Sequence, residues 1–223
     1  MSAVGLRQIL GLGSYKTAWT WLHKLRRAMV RPGRDRLSGR VEVDESYLGG
    51  PEEGLYGREA CNKALIVVAA EENGKGTGRI RMRRVGSASG KDLQSFVTEA
   101  IERGSVIRTD GWRGYSGLSK KGYIHEVTPL RGRKNAATEL LPRVHHVISL
   151  LKRRLMGTHH GAVSPEHLDY YLDEFTFRFN RRNSRHRGKL FFRLLQQAVA
   201  IEPAPYRSLV KSSRGPRSKN HNI

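Results

Sequence analysis

Two aspartates and a histidine are placed where they could handle a metal ion. Asp44 closes the alternating run "VEVD", and Asp110 closes "VIRTD". Carboxylates at the ends of neighbouring strands can share one or two Mg²⁺ ions. Two such ions can activate a nucleophile and steady a leaving oxygen in phosphoryl transfer. Each aspartate also has a plainer reading as a turn or capping residue, and an Asp-Gly pair after a strand, such as Asp110–Gly111, is a common turn. A third ligand is needed, and His145 in "VHHVISLLKRR" is the candidate. A neutral imidazole ligates a divalent ion, though it suits Mn²⁺ better than Mg²⁺. Lys152 follows His145 by about two helical turns, so both project from one face, where Lys152 can steady a phosphate. Read alone, His145 is as readily a phosphate contact or a helix cap, and the ligand set stays open at this point. His146 points about 100° away from it.

These residues sit in a strongly basic chain. Lys and Arg number 41 against 20 Asp and Glu in 223 residues, a formal charge of +21. A polyanionic partner accounts for such an excess, because Lys and Arg on phosphates release counterions. With 38% hydrophobic residues a globular core is available. The single cysteine, Cys61, excludes a disulfide within the chain and a C-x-x-C zinc pair, which suits a reducing cytoplasm. No signal peptide or membrane-spanning run is read. The expected setting is therefore cytoplasmic, with no membrane.

The elements that must position the site follow from periodicity. "SYKTAWTWLHKLRRAMV" carries Ala18, Trp21, Leu22, Leu25 and Ala28 at helical spacing, with Ser14 as its N-cap. A shorter helix, 3–10, precedes it, giving a pair that is either part of a helix-turn-helix or a plain hairpin. Strands are expected in "GRVEVDESYLGG", "KALIVVAAEE", "GRIRMRRVG", "SVIRTDGWRGY" and "YIHEVTPL". Helices are expected in "SGKDLQSFVTEAIERG", ending at Gly104, in "LPRVHHVISLLKRRLMG", ending at Gly157, in "SPEHLDYYLDEFTFRFNRR" with Ser164 as N-cap and Pro165 first, and at 188–200. Three strands, helix, strand, strand, then helices suits an α/β fold, a ribonuclease H-like mixed sheet flanked by helices and preceded by a short helical segment. The divisions are 1–39 for that segment and a linker, 40–200 for the catalytic body and 201–223 for a disordered basic tail. Trp112 and Tyr115 are read as packing or as DNA contacts. His159 and His160 form a turn that is structural or touches DNA. In "FRFNRRNSRHR" the aromatic rings belong to a core, while the basic residues can follow a phosphate backbone.

The blocks "GLGSYKTAWTWLHKLRRAM", "VEVDESYLGG", "TDGWRGY", "LLKRRLMGTHHGAVSPEHLDYYLDEFTFRFNRR" and "RGKLFFRLLQQAV" resemble the DDE-type insertion-sequence transposases of the IS fifteen-ninety-five family, which carry the ISXO-type transposase domain. Many relatives have a catalytic Glu in an I-E-S-F-W-S-L-L-K-R pattern. Registering the shared "SLLKR" on Ser149–Arg153 puts that position on His145, and some members use His or Asn there. The resemblance implies catalytic Asp44, Asp110, His145 and Lys152, with the first three holding Mg²⁺ or Mn²⁺ in a two-metal site. Glu45 matches the family's D-E pair and is expected to point to the opposite strand face.

It further implies DNA as partner, for both element ends and target, a homo-oligomer on DNA, a setting at the bacterial nucleoid and no small-molecule cofactor. Candidate DNA contacts are Lys24, Arg26, Arg27, Lys152, Arg153, Arg154, Arg178, Arg181, Arg182 and Arg185. The implied function is metal-dependent cleavage at element ends and strand transfer. Two alternatives stay open, a non-catalytic DNA-binding remnant and a structure-specific nuclease on the same fold. Relatives usually begin with a zinc ribbon of paired cysteines, which this sequence does not contain. Residues 1–31 therefore read as the remnant of a helical DNA-binding region.

Overall fold

The computed structural model describes residues 1–30, 33–49, 63–128, 140–159 and 167–211. Two helices, α1 (Ala3–Ile9) and α2 (Tyr15–Ala28), lead into five strands: β1 (Arg40–Leu48), β2 (Ala64–Asn73), β3 (Gly76–Val85), β4 (Val106–Thr109) and β5 (Ile124–Val127). Helix α3 (Gly90–Ala100) joins β3 to β4. After β5 come α4 (Pro142–His159), α5 (Leu168–Phe179), α6 (Arg187–Val199) and α7 (Tyr206–Lys211).

The sheet runs in the order β3-β2-β1-β4-β5. The first three strands form an antiparallel meander, with Asp44 opposite Val68. β4 and β5 add in parallel beyond β1. The parallel addition needs a crossover, which α3 supplies. Strand β2 is central in this meander and covered on both faces, so its apolar run does not alternate with polar residues. Its Val67 and Ala69 pack with Val41, Val43, Leu93 and Phe96 beneath α3. Its Ile66, Val68 and Ala70 pack with Val144, Ile148, Leu151, Leu172 and Phe175 beneath α4 and α5. The result is an α/β fold with a mixed five-stranded sheet between two helical layers. Asn180 closes part of the exposed β3 edge by accepting from the Ile80 N–H (2.7 Å) and donating to the Ile80 carbonyl (3.1 Å).

Several boundaries differ from the sequence reading. Helix α4 runs through Gly157 to His159, because a glycine inside a helix with a packed apolar face costs only about 1 kcal/mol. α3 ends at Ala100, where Leu37 takes over its last carbonyl through a 2.8 Å bond, ahead of Gly104. Ser14 stands at the N-cap of α2 without a side-chain cap bond. Within the stretch expected to be unstructured from residue 201, residues 206–211 form α7, whose Leu209 is buried, and 212–223 lie outside the described residues. Helices α1 and α2 pack on each other, and α2 packs against α5 and α6. Cys61, His160, Ser164 and Pro165 lie outside the described residues, and the side chain of His159 is likewise not described.

Candidate active site

The three candidate ligands come from the middle of the central strand β1, from the residue just after β4, and from α4. The sequence reading puts Asp44 at the end of its strand instead. Asp44 sits in β1, on the same strand face as Leu48 and hence toward α4, since residues two apart share a face. On α4, the apolar stripe Val144, Val147, Ile148, Leu151 and Leu155 seats the helix on the sheet. That seating turns His145 toward Asp44, with Nε2 3.4 Å from Oδ2. Nε2 is buried and has no hydrogen-bond partner among the described residues. A buried polar atom without a partner is costly, and a cation bound between this nitrogen and Asp44 would relieve that cost.

Asp110 follows β4 at the start of a tight turn. Its Oδ1 accepts the Trp112 backbone N–H at 2.9 Å. Gly111 has φ +85°, and a Cβ there would meet Val127 Cγ1 at 2.6 Å. Glycine is required at this bend, and it is what brings the Asp110 carboxylate out at the strand end. The turn reading and the ligand reading of Asp110 are thus compatible, since one oxygen caps the turn.

Charge in the site is unbalanced. Burial first, then the negative charges of Glu45 and Asp110, push the Asp44 carboxyl up to about 7, while Lys152 opposes them. Burial also lowers the His145 pKa, with Lys152 adding to it and Glu42 and Asp110 opposing. The imidazole is therefore neutral at pH 7 and has a lone pair to offer, which is the form that binds metal. A carboxyl raised by burial and by neighbouring acids, beside an unbonded imidazole nitrogen, fits a divalent cation. No group of three His, Cys, Asp or Glu is drawn together as a finished metal cage among the described residues.

The surrounding residues sort into site and scaffold. Glu45 faces away from Asp44 as expected and accepts a 2.8 Å bond from the hydroxyl of fully buried Tyr115. Trp112 donates from Nε1 to the Ala88 carbonyl at 2.8 Å. Tyr115 and Trp112 are packing residues of the α3 side. His146 opens on a separate cleft of about 430 Å³ with Lys75, Leu150, Phe179 and Arg182, so the adjacent histidines serve different surroundings.

Of the candidate DNA contacts, Lys24, Lys152, Arg153 and Arg185 are exposed and Arg27 is half-buried. Arg26 is a correction. It is buried, donates from Nε to Glu174 at 2.8 Å and lies over the Tyr171 ring, so it faces the interior. Arg154 and Arg178 also bond Glu174, at 2.7 and 2.9 Å, and are partly committed to it. Arg181 and Arg182 lie over Phe177 and Phe179, and Arg182 also donates to the Thr77 carbonyl.

Sequence reasoning missed Glu42, Arg108 and Arg143. Glu42 is fully buried and bonds Arg143, and Arg108 lies beside it. The available signal was a charged residue two positions before each aspartate, inside a strand.

The fold is an α/β domain on a mixed five-stranded sheet, with Asp44 in β1, Asp110 just after β4 and His145 on the following helix. The ISXO2-like transposase domain matches residues 36–180, and the chain belongs to this family. Two solved structures are similar to it: "Mos1 transposase paired-end complex with left transposon end", at 13% identity and a TM-score of 0.37, and "Crystal structure of a pre-cleavage Mos1 transpososome", at 12% identity and a TM-score of 0.33. Each similarity covers 90% of this chain and 74% of the other. A comparison with curated proteins gave no match. No helix among the described residues is long and apolar enough to cross a membrane.

Proposed function

We propose that this protein is a DNA transposase that cuts DNA at insertion-sequence ends and joins the freed end to target DNA, using Asp44, Asp110 and His145 as ligands for Mg²⁺ or Mn²⁺. The observation that carries this reading is the pairing of Asp44 with a buried, unbonded His145 Nε2 at 3.4 Å, in a chain of the transposase family. Bound at these residues, a pair of divalent cations supplies activation of the nucleophile and stabilisation of the leaving oxygen.

The protein's own part is placement and charge. Neutral His145 and the Asp44 carboxylate define one side of the site, and Asp110 defines the other. In the cutting step a water oxygen bonds to phosphorus, the P–O3′ bond breaks and the 3′-oxygen leaves with a proton. In the joining step that 3′-hydroxyl attacks a target phosphodiester and loses its proton. The target P–O3′ bond breaks, and its oxygen takes up a proton. Lys152, whose charge reaches both Asp44 and His145, is suited to steady the phosphate. Exposed Lys24, Arg153 and Arg185, with half-buried Arg27, are suited to track the backbone of the DNA, with two or more copies of the chain holding paired ends.

The test is strand transfer of pre-cleaved ends with Mn²⁺. Asp44→Asn and Asp110→Asn should each abolish joining while DNA binding is retained. Undiminished joining in both variants would sink the assignment.

A further inference from the structure

A charged residue stands two positions before each candidate ligand: Glu42 before Asp44, Arg108 before Asp110 and Arg143 before His145. These three come from β1, β4 and the start of α4, and they meet. Arg143 Nη1 lies 3.0 Å from Glu42 Oε1, and Arg108 Nη1 lies 3.8 Å from the same oxygen. Glu72 on β2 joins them, 3.1 Å from Arg108 and 3.4 Å from Arg143.

Glu42 also does something an ordinary ion pair does not. Its Oε2 accepts the backbone N–H groups of Arg143 and Val144, at 2.8 and 2.9 Å. Those are first-turn amides of α4, which have no acceptor within the helix. A carboxylate there also meets the positive end of the helix dipole. Arg108 Nη2 donates to the Leu140 carbonyl at 3.0 Å, holding the residue that leads into the same helix. Arg143 completes the hold by donating to Gly76 and Gly74 of the β2–β3 turn, at 3.0 and 2.9 Å.

The physical need for such a device is clear. Apolar packing seats α4 on the sheet but is non-directional, so it leaves small slides of the helix along its axis cheap. A misplacement of about 1 Å in a reacting constellation can cost on the order of a hundredfold in rate. A capping carboxylate on β1 fixes that axis against the very strand that carries Asp44.

The geometry points to Glu42 as a positioning residue that sets where His145 stands relative to Asp44, with Arg108 extending the same clamp to the strand that leads to Asp110. This rests on the site assignment made under the proposed function.

Glu42→Gln keeps the size and one carbonyl oxygen but loses the second acceptor and the charge. Two quantities are measured: Mn²⁺ affinity of the DNA-free protein by titration calorimetry, and joining kcat and KM with pre-cleaved ends. Glu71→Gln serves as control, since Glu71 is another buried carboxylate of β2, next to Glu72 in sequence but bonded to Arg79, at 2.6 Å, and to the Ser38 N–H instead of to Arg108 or Arg143. The expected result for Glu42→Gln is Mn²⁺ affinity weakened about tenfold and kcat lowered about a hundredfold, the scale of a 1 Å misplacement. KM for DNA should stay within about threefold, and Glu71→Gln should change neither quantity at a comparable loss of thermal stability. If Glu42→Gln fails to fold, Arg108→Gln decides, because Arg108 is partly exposed and its loss leaves the helix cap in place. It should lower kcat about tenfold or more. Wild-type kcat and Mn²⁺ affinity in the soluble variant, or equal losses in Glu71→Gln, overturn the clamp. Asp44→Asn is run alongside. Its failure to impair joining overturns the site itself, whereas its loss with none in Glu42→Gln overturns only the clamp.

Discussion

Glu174 and Asp44 are both acids withdrawn from water, and their surroundings treat them in opposite ways. Burial alone would raise Glu174, but Arg26, Arg154 and Arg178 outweigh it and hold its carboxyl below the ordinary range. Asp44 is raised to about 7, because burial is joined by Glu45 and Asp110, and the backbone N–H of Glu45 and the charge of Lys152 do not offset them. The Glu174 carboxylate is met by three guanidinium groups, and that cluster ties α2 to α4 and α5. Around Asp44 the demand is left open, and the unbonded nitrogen of His145 stands beside it. A satisfied ion cluster is scaffold. An unsatisfied one, maintained against its own cost, is where a ligand belongs.

The contrast can be broken first at the level of activity. Asp44→Asn or Asp110→Asn should reduce Mn²⁺-dependent joining by about a thousandfold or more, equivalent to roughly 4 kcal/mol of transition-state stabilisation. Glu174→Gln, in protein that remains folded, should leave the joining rate per folded molecule near that of the wild type.

Stability should show the reverse order. Glu174→Ala leaves Arg26 buried without its carboxylate and should cost about 3–5 kcal/mol in denaturant unfolding. Asp44→Asn should instead stabilise the metal-free protein at pH 8, by on the order of 3 kcal/mol. The sign follows from the raised carboxyl. The folded state holds the Asp44 proton more tightly than the unfolded chain does. Its contribution to stability is therefore complete below about pH 4 and lost as pH rises through about 7. The difference in unfolding free energy between wild type and Asp44→Asn should widen across that window, and a flat difference would contradict the electrostatic account. A smaller effect is expected at Gly111→Ala, where positive φ and the approach of Val127 should cost about 1–3 kcal/mol. Its joining rate should fall further than that of a variant equally destabilised elsewhere.

The two regions also differ in how far the sequence reveals them. Alternation in "VEVDESYL" and "SVIRTD" makes β1 and β4 legible and places both aspartates at the sheet. The stripe from Val144 to Leu155 makes α4 legible, and the shared "SLLKR" register singles out His145 from His146. What hides is pairing at long range. "KLRRAM" reads as a solvated basic face, and nothing local shows that Arg26 turns inward to meet Glu174, 148 residues away. Glu42 hides for the same reason, since its helix amides come from 101 and 102 residues further on. Buried charges are specified by their partners, and those partners are brought together only by the fold.

The central claim is that Asp44, Asp110 and His145 form one metal-dependent site, and it turns on the adjacent histidines of α4. The most direct measurement is Mn²⁺-dependent joining of pre-cleaved ends by His145→Ala and His146→Ala in parallel, each at matched folded concentration. His145→Ala should lose joining by at least about a hundredfold, the scale of removing one group that stabilises the transition state. His146→Ala, which faces the separate cleft, should stay within about threefold of wild type, a difference below 1 kcal/mol. Equal loss in both variants, or no loss in His145→Ala, would contradict the account.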